Sequence, residues 1–147
     1  TTTTKPKSAI QSIYSELKGN LTKASIKLSD DGKSVRIPIP DVLFFKTNVA
    51  SAPVADTIIE VLSVSLKKYN QLQVISSGHT DTKGTDSYNE QLSKARAETG
   101  KTLLVNKGIA TNRIEIKWYG ASDPIASNED EAGRAQNRRT EYILYEH

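Results

Sequence analysis

The sequence contains no cysteine. That excludes a disulfide framework, a thiolate zinc site, an iron–sulfur cluster and a cysteine nucleophile, and leaves the compartment open. Histidine is nearly as scarce: two residues, one of them the terminal His147, leave little material for imidazole-based metal or triad chemistry. No run approaches the roughly 18 consecutive apolar residues that a membrane-crossing helix needs, so no membrane span is expected. Neither sign of charge dominates. Twenty basic residues stand against 17 acidic ones, well mixed along the chain, without the basic clusters beside exposed aromatics that nucleic acid requires. No nucleic-acid partner is therefore expected. The first residues, four threonines followed by Lys5, Pro6 and Lys7, lack the apolar stretch of a signal peptide and read as a flexible lead-in over 1–7.

What is present is the composition of a polar globular domain, 36% hydrophobic and 25% charged, with a length of 147 residues that buries a core without metal or disulfide. Ile10, Ile13, Tyr14 and Leu17 recur at helical spacing, so a short amphipathic helix is expected from Ser8 to about Gly19. Ile26 and Leu28, then Asp30, Asp31 and Gly32, then Val35, Ile37 and Ile39 describe a hairpin. Pro38 and Pro40 lack ladder donors and put its second strand at an edge or a bend. Val42, Leu43, Phe44 and Phe45 read as a short central strand. A helix over about 51–69 carries Val54, Ile58, Leu62 and Leu66; a buried strand then runs from Leu72 to Gly78. After a polar loop, a helix over 87–107 is expected to turn Leu92, Ala95, Leu103 and Tyr88 inward. Ile114, Ile116 and Trp118 alternate as a strand, residues 120–137 read as a polar loop, and a last strand holds Tyr142 and Leu144.

The order after the N-terminal helix and hairpin is β-α-β-α-β-β. This is an α+β two-layer sandwich with two helices on one face of a mixed four-stranded sheet.

Three constellations bear on chemistry. Gly100, Lys101 and Thr102 imitate the end of a phosphate-binding loop, but they lie inside a helical pattern rather than after a strand, and Glu98 would repel phosphates. His79 with Asp81 and nearby serines lacks the sharp nucleophile turn of a hydrolase, and His79 reads as fixed by hydrogen bonds at a strand end. The third is distributed. Gly78, His79, Thr80 and Asp81 close a strand, Asn89, Leu92, Ser93, Arg96 and Ala97 open the next helix, and Gly133, Arg134, Asn137, Arg138 and Arg139 precede the last strand. Strand ends and helix starts gather at one edge of such a sheet, where ligands sit. Asp81 and Arg96 can meet there across a loop and about two helical turns. An acid beside an arginine suits the head of a free amino acid, the carboxylate taking the ammonium and the guanidinium the carboxylate. The same spacing also fits a plain salt bridge tying the loop to the helix.

Together these residues resemble the OmpA-like peptidoglycan-binding domain. The resemblance rests on Leu43, Phe44, Phe45, Thr47 and Asn48; on Gly78 to Asp81 with Gly84; on Asn89, Leu92, Ser93, Arg96 and Ala97; and on Gly108, Arg113, Gly120, Pro124, Asn128 and Gly133 to Arg139. It covers about residues 41–145 and implies three segments: the lead-in 1–7, a helix-and-hairpin extension 8–40, and the family domain 41–147. It further implies that the ligand is meso-diaminopimelate in the stem peptide of peptidoglycan, with Asp81 on its ammonium and Arg96 on its carboxylate. Arg138 matches a further pocket arginine, and Asn48, Thr80 and Asn89 match polar lining positions. Arg134 and Arg139 are expected to support the fold or face solvent. Lys46 stands where the family often has an acid. The activity so implied is noncovalent anchoring, not enzymatic and without cofactor or metal, in a periplasmic domain tethered to the outer membrane by an upstream segment. An envelope protein-interaction module on the same fold, as in a secretion or stator component, is the alternative.

Overall fold

The computed structural model describes residues 8–22, 24–44 and 53–146. The lead-in 1–7, the site candidate Asn48, and Phe45, Lys46 and Thr47 lie outside the described residues.

Ser8 starts the first helix, α1 (Ala9–Asn20), through a capping box: its hydroxyl accepts from the Gln11 N–H while the Gln11 side chain accepts from its own. Ile10, Ile13 and Leu17 point inward, as their spacing requires. The hairpin follows as β1 (Lys27–Leu28) and β2 (Ser34–Pro40), antiparallel, its turn held by the Ser29 hydroxyl and the Asp31 carboxylate, which accept from the backbone of Lys33 and Ser34. The hairpin does not stand apart. β2 runs antiparallel to β5 (Arg139–Glu146) along its whole length, from Ser34 opposite Tyr145 to Pro40 opposite Arg139. β5 pairs antiparallel with β3 (Leu72–His79), and β3 lies parallel to β4 (Ile114–Trp118). The sheet order is β1-β2-β5-β3-β4, five strands where four were expected, because the hairpin joins the main sheet. Since β1 reaches only Val35 and Arg36, Pro38 and Pro40 sit on the stretch of β2 that it leaves unpaired.

The strand expected at 42–45 is absent over its described residues, 42–44. Asp41–Phe44 forms a single 3₁₀ turn, with Leu43 and Phe44 packed against the core. β2 already holds the place beside β5, so the apolar run contributes packing rather than ladder bonds.

Alternation places Val35, Ile37 and Ile39, Leu144 and Tyr142, and Leu72 and Val74 on one buried face. Three helices complete the core there rather than two: α1, α2 (Val54–Lys68) and α3 (Asp86–Asn106). Glu16 of α1 accepts from Ser65 and Lys68 of α2. Arg113 donates to the carbonyls of Leu66, Tyr69 and Leu72, tying the end of α2 to the start of β3.

α3 turns a different face inward from the one expected. Its buried residues are Asn89, Ser93, Ala97, Gly100 and Leu104; Ala95 is exposed, Tyr88 is 59% exposed, and Leu92 and Leu103 are half-buried. The cause is a very close approach to the sheet. A Cβ on Gly78 would fall onto the Ser93 carbonyl, and one on Gly100 onto the Ser76 hydroxyl and 2.7 Å from the Thr140 methyl. Ser76 Oγ donates to the Ala97 carbonyl at 2.9 Å and the Tyr142 hydroxyl to the Gly100 carbonyl at 2.7 Å. Gly100 is thus a packing residue inside a helix. The expected polar loop 120–137 ends in a short helix, α4 (Glu131–Asn137), opened by Asp130 accepting from the Gly133 N–H. Seven residues with two buried positions are too few to show a period.

The contrast between two glycines is testable by urea unfolding. Gly78→Ala drives a methyl into helix backbone and is expected to destabilise by about 3 kcal/mol. Gly19→Ala, with nothing within 4 Å of the new Cβ, is expected to stabilise α1 by about 0.5–1 kcal/mol.

Candidate functional site

One row of the sheet assembles the site. His79 at the end of β3 pairs with Arg139 at the start of β5, and Arg139 pairs with Pro40 at the end of β2. The residues just beyond that row, Thr80 and Asp81, Arg138, and Asp41, therefore emerge together at one edge. α3 returns from this edge and brings Asn89 and Arg96 with it.

Asp81 is buried, with Oδ2 accepting from Arg138 Nη1 at 2.8 Å and Oδ1 from the Lys83 N–H at 2.9 Å. Burial pushes its carboxyl up, but the Arg138 bond and the Lys83 N–H outweigh that and hold it below the ordinary carboxylate value. Arg138 reaches on to Glu131 at 2.6 Å. Arg96 does not touch Asp81 in the described contacts. Its Nη1 donates to the His79 carbonyl at 2.9 Å, and its Nε and Nη2 donate to both oxygens of Asp41 at 2.5–3.2 Å. Asp41 is tied to the same cluster by its own N–H, which donates to the Arg138 carbonyl at 2.9 Å. Asp81 and Arg96 thus come to one edge, each holding a different partner.

Thr80 and Asn89 join this cluster in a supporting way. The Thr80 hydroxyl donates to the Asp81 carbonyl at 2.9 Å, Asn89 Nδ2 approaches the same oxygen at 3.4 Å, and the Thr80 N–H donates to the Gly120 carbonyl. A cleft of about 570 Å³ opens beyond Asn89, lined by Asp86, Glu90, Trp118 and Tyr119 among others; neither Asp81 nor Arg96 lines it.

Behind the edge lies a buried polar layer on the sheet face away from α1, α2 and α3. Arg139 is fully buried and donates to Glu141, which also accepts from Arg36. Its Nη2 donates to the Asp123 carbonyl at 2.9 Å. Asn137 clamps the preceding loop, accepting from the N–H groups of Ile125 and Ala126 and donating to Asn128. Arg134 donates to the Asn128 carbonyl. Arg134 and Arg139 therefore support the fold. His79 shares a hydrogen bond with Ser77 Oγ at 3.0 Å and stacks on Tyr119 with ring centroids 5.2 Å apart. Burial, and then the charges of Arg139, Arg36 and Arg96, lower its pKa from the ordinary value to about 3.

Sequence reasoning missed Asp41. Nothing local marks it; only the register of β2 on β5 brings it beside Arg96.

A parallel β3–β4 pair, an antiparallel β5 between β3 and β2, and charged residues at their common edge define a fold with known counterparts. The OmpA family pattern matches residues 46–138, well over half of the chain, and the chain belongs to that family. Outer membrane porin F of Pseudomonas fluorescens is 45% identical over 83 residues, 56% of this chain and 26% of the porin. A peptidoglycan-associated lipoprotein of Mesorhizobium japonicum is 35% identical over 104 residues, 70% of this chain and 62% of the lipoprotein. The chain thus spans only part of the length of these relatives. Among solved structures, the cell wall anchor of the T6SS from Pseudomonas aeruginosa superposes with a TM-score of 0.68 at 26% identity, over 88% of this chain and 92% of the anchor. A MotB-like protein from Desulfovibrio vulgaris shares the fold with a TM-score of 0.77 at 21% identity over 95% of each chain.

His79 supplies a pH test of the buried layer. Its folded pKa of about 3 lies below the unfolded value near 6.5. The stability gained by keeping the ring neutral is therefore complete above about pH 6.5 and is lost as pH falls toward 3, by about 1.4 kcal/mol per pH unit. Ring signals of His79 in NMR spectra are expected to stay unshifted from pH 7 to about 4 while denaturant midpoints fall; a ring that titrates near pH 6 would contradict the burial argument.

Proposed function

We propose that this chain is a noncovalent peptidoglycan-binding domain that grips the distal end of meso-diaminopimelate in the stem peptide. In this reading it holds an outer-membrane protein or lipoprotein to the cell wall from the periplasm, through a segment upstream of this chain. The observation that carries the reading is the convergence, beyond a single row of the sheet, of Asp81 and Arg138 on one side and Arg96 on the other. Membership of the OmpA family and the names of its relatives, a peptidoglycan-associated lipoprotein and a cell wall anchor, support it.

The chemistry follows from the charges. The ligand tip carries one ammonium and one carboxylate. Asp81 accepts the ammonium, having about two lone-pair directions left after Arg138 and Lys83. Arg96, held in orientation by the His79 carbonyl, takes the carboxylate through parallel N–H bonds. Arg138 keeps Asp81 ionised and aimed. Asn48, Thr80 and Asn89 belong to the polar surround of the ligand in this proposal. No bond is made or broken.

Retention on purified sacculi tests the reading. Asp81→Ala and Arg96→Ala are each expected to weaken retention by about tenfold or more, as removal of one partner from a desolvated charge pair does. Wild-type retention in both variants would move the function to a protein-interaction module instead. Calorimetry with free amino acids is expected to show meso-diaminopimelate bound about tenfold more tightly than lysine, which brings no distal carboxylate to Arg96; equal affinities would refute the specificity. Because Arg138 and the Lys83 N–H hold the Asp81 carboxyl below its ordinary value, binding is expected to persist further into acid than an ordinary carboxylate would allow and to weaken as that carboxyl takes up its proton, read by titration at successive pH values.

A further inference from the structure

Asp41 stands where the proposed function would place a ligand carboxylate. Its two oxygens take the Nε and Nη2 edge of Arg96 at 2.5–3.2 Å, the bidentate geometry in which a guanidinium receives any carboxylate. The fold does not need this side-chain pair to hold either residue in place. The backbone of Asp41 is fixed by its N–H on the Arg138 carbonyl and by Pro40 opposite Arg139, and Arg96 is fixed separately by the His79 carbonyl. The two side chains are also unequally covered: that of Arg96 is 13% exposed and that of Asp41 is 32% exposed. Asp41 can rotate toward water while Arg96 stays oriented.

Resting on the reading of the site given above, we propose that Asp41 is a built-in competitor: the protein's own carboxylate occupies Arg96 until the distal carboxylate of the ligand displaces it. The exchange replaces one carboxylate on Arg96 by another, so the carboxylate contact alone yields little net affinity. What tips the exchange is the second charge of the ligand, its ammonium on Asp81. Asp41 therefore lowers the affinity for every anion that reaches Arg96 and leaves the zwitterionic tip as the class of ligand that binds well. An anion approaching the remaining N–H groups of Arg96 without displacing Asp41 meets a like charge, with the same consequence.

The test is calorimetric titration of the folded chain with meso-diaminopimelate, thermal unfolding of each variant being recorded alongside. Asp41→Asn keeps the shape and removes the charge; Asp41→Ala removes the competitor altogether. Both are expected to bind about 5- to 30-fold more tightly than wild type, the range of one lost ion-pair competitor. The gain is expected to vanish when either change is combined with Arg96→Ala, because Asp41 acts only through that guanidinium. Unchanged or weaker binding in the Asp41 variants, with Arg96→Ala still weakening binding, overturns the competitor and leaves the peptidoglycan reading standing. Wild-type affinity in Arg96→Ala overturns both.

Discussion

The closeness of α3 to the sheet is the constraint on which the rest of the structure depends. Gly78 and Gly100 leave no room for a Cβ, and α3 turns the small residues Ser93, Ala97 and Gly100 toward the sheet at that distance. Arg96 directly precedes Ala97 on this helix. The contact that seats Ala97 on Ser76 therefore also sets Arg96 against the His79 carbonyl. A helix held further away by one methylene would shift the guanidinium off that carbonyl, because close-packed interiors pass such displacements on rather than absorbing them. Packing between small residues thus determines where a charge stands.

That charge enters an alternating cluster rather than an isolated pair. Asp41, Arg96, Asp81, Arg138 and Glu131 are linked by side-chain contacts and by the Asp41 N–H on the Arg138 carbonyl. Burying charge is tolerable only where each group finds an opposite partner, and here each does before any ligand arrives. A ligand tip with one ammonium and one carboxylate adds no net charge to such a cluster. In the proposed function a lysine tip would add a positive charge and a plain acid a negative one, so charge balance would favour the zwitterionic tip.

Much of the architecture was legible in the sequence. Periodicity located α1, α2, α3, β3, β4 and β5, and Asp31 with Gly32 marked the hairpin. The failures share a physical cause. Apolar runs mark burial, and burial does not say which element buries them: Leu43 and Phe44 fill the core from a 3₁₀ turn, not a strand. The inward face of α3 is lined by Ser93, Ala97 and Gly100, so hydrophobicity pointed to the wrong positions at Tyr88 and Ala95, while Leu103 packs against the core as expected. At the site, sequence reasoning brought Asp81, Arg96 and Arg138 to one edge but not the pairings among them, and it missed Asp41. Arg138 on Asp81 and Asp41 on Arg96 lie 57 and 55 residues away along the chain. Such pairings follow from which strands become neighbours and in what register, a long-range outcome not visible in the residues around Asp41 or Arg138.

The N-terminal segment takes its meaning from that register. The family pattern begins at residue 46, after β2, yet β2 pairs with β5 over all seven of its residues and α1 shares the core with α2. The end of β2 also delivers Asp41 to Arg96. Asp81, Arg96 and Arg138 fall inside the family match, and the carboxylate that occupies Arg96 falls outside it. Two chains with the same matched residues can therefore present the same arginine in different states, free or already engaged, according to the strand that precedes the match. The strand that precedes the family match is thus the part that, in the proposed exchange, sets how readily the site gives up its own anion for another.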